Sequence, residues 1–156
     1  MSNWKKIIFY SAVLFSLTTE VSMGLFDFMK VCLFSEVNGV VTLQGKPVAG
    51  ARIVRTAKLG DKPYTDTTTT DSRGMFNFKA RFTNSVNKIA PVEPRIPQKL
   101  VIEHAGKEHV GWEMSKHNYD TDGELGKPIN ISCELTNEET KQEIGYKIIW
   151  GKCKVN

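Results

Sequence analysis

The run from Thr69 to Phe82 constrains the fold more than any other part of the chain. Asp71-Ser72-Arg73-Gly74 is a tight turn, in which Asp can bond its own backbone and Gly is free to take positive φ. After it, Phe76, Phe78, Ala80 and Phe82 fall on one side of a period-two pattern, with Asn77, Lys79 and Arg81 on the other. That spacing suits a strand with one buried face and does not suit a helix. A sheet carrying such an aromatic row needs a second layer to cover it, so the pattern predicts a packed, layered β fold.

The rest of the chain repeats the theme of short strands between turn residues. Ser35 to Leu43 reads as a first strand, closed by Gln44-Gly45-Lys46-Pro47. Ala51 to Ala57 alternates but carries Arg52 and Arg55 on opposite faces, which places it near an edge or crevice. Tyr64 to Thr70 is a threonine-rich, half-exposed strand. Thr83 to Gln98 reads as a loop because Pro91, Pro94 and Pro97 cannot share one regular element. Lys99–His104 and Lys107–Met114 form a hairpin around Ala105-Gly106. Ile129 to Leu135 is a strand, Ile144 to Val155 another broken at Gly151, and Asn137 to Gln142 a helical turn. Seven or eight short strands of this kind predict an all-β, antiparallel sandwich.

Three stretches carry a resemblance: Gly39-Val40-Val41, Gly45-Lys46-Pro47-Val48-Ala49-Gly50-Ala51, and Thr69-Thr70-Asp71-Ser72-Arg73-Gly74-Met75-Phe76-Asn77-Phe78. Together they resemble the carboxypeptidase regulatory-like domains, which have a transthyretin-like (prealbumin-like) β-sandwich. The match is good from Ser35 to Phe82 and weaker to Leu135. Leu33-Phe34-Ser35 and Cys133-Glu134-Leu135 look like a small bacterial group of unknown function built on that fold. The resemblance implies a sandwich over 33–135, with 136–156 as an extension adding a strand. The matching glycines, proline and phenylalanines are accounted for by turns and core, so it implies a fold and no chemistry. The C-terminal Tyr-Arg-Gly-Ser of the transthyretin-related hydrolases is missing, since the chain ends Gly151-Lys152-Cys153-Lys154-Val155-Asn156.

Composition narrows the function classes. Hydrophobic residues are 40% and charged residues 24%, enough to build a core. The formal charge of +4 is interspersed, with no basic block, so no nucleic-acid partner is expected. Lys5 and Lys6 before the apolar run Ile7 to Leu17 form a secretory-signal pattern, too short for a comfortable membrane span. Residues 1–23 are therefore read as a signal peptide or inner-membrane anchor, and the chain as periplasmic or anchored. Val21-Ser22-Met23 is a poor cleavage site, and a start at Met23 would instead leave a cytoplasmic protein. Of Cys32, Cys133 and Cys153, two can pair in an oxidising compartment. Cys133 and Cys153 are the favoured pair because both fall in late strand-like runs; three buried thiols are the alternative.

No catalytic constellation is legible. His104 and His109 flank a hairpin turn but lack convergent ligands, Asp120, Asp122 and Glu124 miss the calcium-loop register, and Cys133 has no visible base. The acidic run reads as a solvated loop. Neither a cofactor nor a metal is expected. Interaction residues are the better candidates: Trp112, Tyr119, Tyr146 and Trp150, with Lys88, Glu93 and Arg95 in the stiff proline loop. Trp112 has the competing reading of a core residue. The function expected is a non-enzymatic module that binds another protein in the bacterial periplasm, an immunity protein against a secreted toxin being the most concrete form. The alternatives are a carbohydrate-binding or structural surface module, and a degenerate or metal-dependent hydrolase.

Overall fold

A computed structural model describes residues 28–156. The expected signal or anchor at 1–23 lies outside the described residues. Among the described residues no helix is long and apolar enough to cross a membrane. The described residues divide into two units, 28–31 with Thr83–Pro91, and Cys32–Phe82 with Val92–Asn156. In the smaller one, Ser85 N–H donates to Met29 O, and Ser85 caps a 3-10 turn over Val86–Ile89.

The described residues form thirteen strand segments and no α-helix. β1 (Lys30–Phe34) pairs with β7 (Arg81–Asn84). Two larger sheets make the sandwich. The first is five-stranded: β13 (Cys153–Val155), β10 (Ile129–Glu134) and β2 (Val37–Leu43) lie side by side. β3 (Lys46–Pro47) and β6 (Met75–Phe78) both bond to β2, at its two ends. The second runs β11 (Thr140–Ile144), β12 (Lys147–Gly151), β9 (Lys107–Lys116), β8 (Ile96–His104), β4 (Arg52–Leu59), β5 (Lys62–Thr69).

Within the two larger sheets pairing is antiparallel apart from β2 with β10, which is parallel and in register from Ile129↔Val37 to Glu134↔Thr42. Parallel neighbours need a long crossover, and here most of the second sheet is built between Leu43 and Ile129. The pleat puts Val37 and Val41 inward with Phe76, Phe78, Ile129 and Ile131, and Ile53, Leu100, Ile102, Trp112 and Ile149 come from the second sheet, all buried. Gly39 faces Phe76 across the β2–β6 ladder, and a Cβ there would collide with the Phe76 ring. The missing side chain is what lets the ring lie over the strand.

Several expectations change. The aromatic row ends at Phe78, because the chain leaves the sheet at Lys79-Ala80 and Phe82 is 38% exposed on β7. β8 starts at Ile96 inside the expected proline loop. Pro97 is tolerated there because β4 pairs only from Gln98 onward, leaving no ladder partner that needs its N–H. β4 is interior, between β5 and β8, and Arg55 is buried between the sheets. Its guanidinium donates to Asp66 Oδ2 at 2.5 Å and Lys79 O at 2.8 Å, and lies 4.5 Å from the Phe78 ring centroid. Residues 137–142 enter strand β11 rather than a helical turn. The segment 136–156 supplies three strands, two to one sheet and one to the other, so it is part of the sandwich and not an appendage.

Candidate functional site

The segment 136–156 also shapes a concavity beside the larger sheet. β11 and β12 form a hairpin turning at Gly145-Tyr146, where Gly145 takes φ +61°. Along β12 the pleat sends Ile149 into the core and Ile148 and Trp150 outward. β12 meets β9 at one register pair, Trp150↔Glu113. Beyond it the strands part: β9 stays bonded to β8 as far as Lys116↔Ile96, and β12 stays bonded to β11 as far as Lys147↔Ile144. The split opens a cleft of about 730 Å³, lined by Met114–Asn118 on one side and Tyr146–Ile148 on the other, with Glu93 and Gly123 at its rim. A second depression of about 430 Å³ shares Met114, Ser115 and Ile148 and reaches across the sheet face to Trp150, Lys99 and Lys58.

One wall of this cleft, with its continuation along β12, carries exposed large side chains. Tyr146 is 91% exposed, Ile148 56% and Trp150 45%, in a run of five residues. Polar groups are arranged around them. Lys99 Nζ pairs with Glu113 Oε2 at 3.3 Å, His117 Nδ1 lies 3.6 Å from Glu93 Oε1, and Trp150 Nε1 donates to Glu139 Oε2 at 3.2 Å. Lys147 Nζ donates to Gly123 O at 3.0 Å and lies over the Tyr146 ring, and among the described residues it pairs with no carboxylate. Ser115 Oγ is buried and makes no hydrogen bond among the described residues.

Behind the cleft lies a buried polar cluster that the sequence pattern did not reveal. Glu124 has no exposed side-chain surface and forms an ion pair with the equally buried Lys116, at 3.2 Å. Its Oε1 accepts from Ser35 N at 3.0 Å and from Gln98 Nε2 at 2.5 Å, and its Oε2 accepts from Ser35 Oγ. Lys116 also donates to Asp120 O at 2.6 Å, and Asp122 N–H to Ser35 Oγ at 2.8 Å. The loop after β9 is thus anchored from within, and only Asp120 and Asp122 of its acidic run behave as a solvated loop. Cys32, 1% exposed, sits against Ser35, and burial pushes its thiol pKa up. A spacing rule cannot find this cluster, because its members come from four separate segments.

Of the expected interaction residues, Glu93, Tyr146 and Trp150 line the cleft or its continuation. Trp112 does not belong with them: it is fully buried on the core face of β9, because the bulge between Leu100 and Val101 sets its register inward. Tyr119 is half-buried, its carbonyl accepting from Cys32 N, and Arg95 is exposed outside the lining. Lys88 lies in the smaller unit, where its Nζ donates to Lys30 O at 2.8 Å. Ile148 and Met114 were missed, although the Lys147–Gly151 alternation carries the signal for Ile148.

Cys133 and Cys153 are direct cross-strand neighbours on β10 and β13 and form a disulfide, with Cα atoms 4.0 Å apart; Cys32 is free. His104 and His109 sit on the two arms of the β8–β9 hairpin, at register positions opposite Lys107 and Ile102. Among the described residues no three His, Cys, Asp or Glu side chains converge as a metal site.

The fold and site define an all-β sandwich with a cleft on its larger sheet, where β9 and β12 part. The chain belongs to the family described as domain of unknown function DUF6795, whose model matches residues 37–138. No curated protein matches the chain. The family match ends before β11, so the hairpin that forms the cleft wall lies outside it.

Proposed function

We propose that this chain is a non-enzymatic, transthyretin-like module that binds another protein through the β9–β12 cleft. The observation that carries the reading is the run of exposed Tyr146, Ile148 and Trp150 beside a 730 Å³ cleft. Tyr and Trp are the residues that most often dominate binding energy when a partner covers them. The cleft's Glu93, His117, Lys116 and Lys147 are bound in ion pairs and carbonyl contacts, which is in keeping with a recognition surface.

A periplasmic or membrane-anchored location fits the signal-like 1–23 pattern and the Cys133–Cys153 bond, since disulfides persist in oxidising compartments. A small exported binding module with no catalytic group has the properties of an immunity protein that neutralises a secreted toxin, and that is the role proposed. A reporter enzyme fused after Phe34 reads the compartment: activity only on the far side of the membrane is expected, and activity in the cytoplasm overturns the location.

A photo-crosslinking residue placed at Tyr146 in the full chain, expressed in its native cell, tests the binding reading. We expect one protein to be captured there, not captured from Thr67 on β5, and lost with Trp150→Glu. Equal capture from both positions overturns the reading. A carbohydrate-binding role is the alternative that the exposed aromatics also support, and capture of a glycan in place of a protein would establish it.

A further inference from the structure

We propose that the partner is taken as an extended peptide segment that adds as a β-strand within the split between β9 and β12. This inference rests on the protein-binding reading above and names how that site works.

The split leaves strand backbone facing an open cleft. Glu113 and Trp150 are the last cross-strand pair. In a strand, alternate residues direct their N–H and C=O groups to the same side. Ser115 and Ile148, two positions on from that pair along each strand, therefore present their backbone groups toward each other across the cleft. On the opposite side of β9 the partner of Ser115 is Pro97, which has no N–H to give. This agrees with Ser115 turning its backbone away from β8. Were the ladder to continue, Ser115 would pair with Ile148, and among the described residues it does not. Both residues line the cleft.

Two open strand edges in one concavity are a template for another strand, and proteins usually cover, charge or shorten such edges. Here the edges are kept apart. Lys147 Nζ is tied to Gly123 O, and the loop carrying Gly123 is fixed from inside by Glu124 with Lys116, Ser35 and Gln98. The gap is therefore built into the fold, and hairpin β11–β12 is not free to close it.

The lining states what chemistry the segment carries. A strand laid along β9 would present alternate side chains to Ile148, Trp150 and Tyr146, which calls for apolar residues at every second position. Lys147, which pairs with no carboxylate among the described residues, matches an acidic side chain at the end of the segment near Tyr146. The occupant is thus an extended peptide with alternating apolar residues and one Asp or Glu.

The test uses the full chain and a random twelve-residue peptide display library as the probe. The tightest selected peptide is resynthesised as a series with one backbone nitrogen methylated in each member, and measured against wild type, Ile148→Asp and Tyr146→Ala. Both altered positions are on the surface, and an unchanged unfolding midpoint confirms that each variant folds. Strand addition predicts that methylation weakens binding about tenfold at alternate nitrogens and little at those between. It also predicts that Ile148→Asp abolishes binding, and that the Ser115 and Ile148 amides gain hydrogen-exchange protection. Binding that needs Ile148 and Tyr146 but ignores the position of methylation overturns strand addition and leaves the protein-binding reading standing. Selected peptides that bind both variants as tightly as wild type overturn both readings.

Discussion

Lys116 Nζ lies 3.2 Å from Glu124 Oε2, and neither side chain reaches solvent. The pair joins the last residue of β9 to the loop that frames the cleft, so it couples the sheet to the site. Breaking a buried pair by removing one partner leaves an uncompensated charge, which costs about 3–5 kcal/mol. Lys116→Met is expected to lose stability in that range. The double variant Lys116→Met/Glu124→Gln should lose less than the two single changes together, because it leaves no charge behind. Urea unfolding of the four proteins measures the coupling.

Glu134 closes the β2–β3 turn. Its carboxylate accepts from the N–H groups of Gln44 and Gly45, each at 2.9 Å, and from Thr136 and Thr42. Hydrogen bonds from Thr136 and Gly45 hold its pKa far below the ordinary value of 4.5. A depressed carboxylate contributes stability above its unfolded pKa and loses it as pH falls through the folded one. Wild type should therefore lose stability as the pH drops below about 4.5, and Glu134→Gln should show a flatter acid limb. Thermal midpoints from pH 7 down to pH 2.5 compare the two.

The disulfide between Cys133 and Cys153 spans a separation of 20 residues. Closing a loop of that size restricts the unfolded chain by roughly 3 kcal/mol. The Cys133→Ala/Cys153→Ala variant should be less stable by up to about that amount, and a reducing agent should destabilise wild type but not the variant. A thiol reagent should find no reactive cysteine in the native described fold, one after unfolding and three after unfolding with reduction.

Trp112 and Trp150 separate core from surface. Trp112→Ala opens a cavity in a fully buried site and should cost about 3–5 kcal/mol. Trp150→Ala removes a half-exposed ring with one bond to Glu139 and should cost under about 1 kcal/mol. Trp112→Phe should cost less than the alanine change, because the Trp112 Nε1 atom is buried without a hydrogen-bond partner among the described residues and its removal forfeits no bond there. Denaturation curves rank the three.

The larger architecture was legible because it depends on local patterns. Turn chemistry at Asp71–Gly74 and Ala105-Gly106, and alternation along β6, β8, β9 and β10, are written in consecutive residues. Where alternation was weak, tertiary pairing decided. Thr140 to Ile144 is almost wholly exposed, so it has no inward face to announce a strand, and it becomes one by bonding to β12. The Trp112 side chain faces inward because of a bulge, and a bulge changes which face a residue takes without changing composition.

The site was less legible for the same reason. Tyr146, Trp150 and Glu93 stood out as residue types, but sequence spacing holds no information about a split between β9 and β12. The sequence by itself determined an all-β chain with strand-and-turn punctuation, a core-facing aromatic pair at Phe76 and Phe78, and no local catalytic motif. Only the tertiary structure decided that Arg55, Lys116 and Glu124 are buried with partners, that β2 and β10 run parallel, and that the C-terminal hairpin opens a cleft. Periodicity is a property of neighbours in the chain, whereas ion pairs, bulges and strand separation arise between segments far apart in sequence.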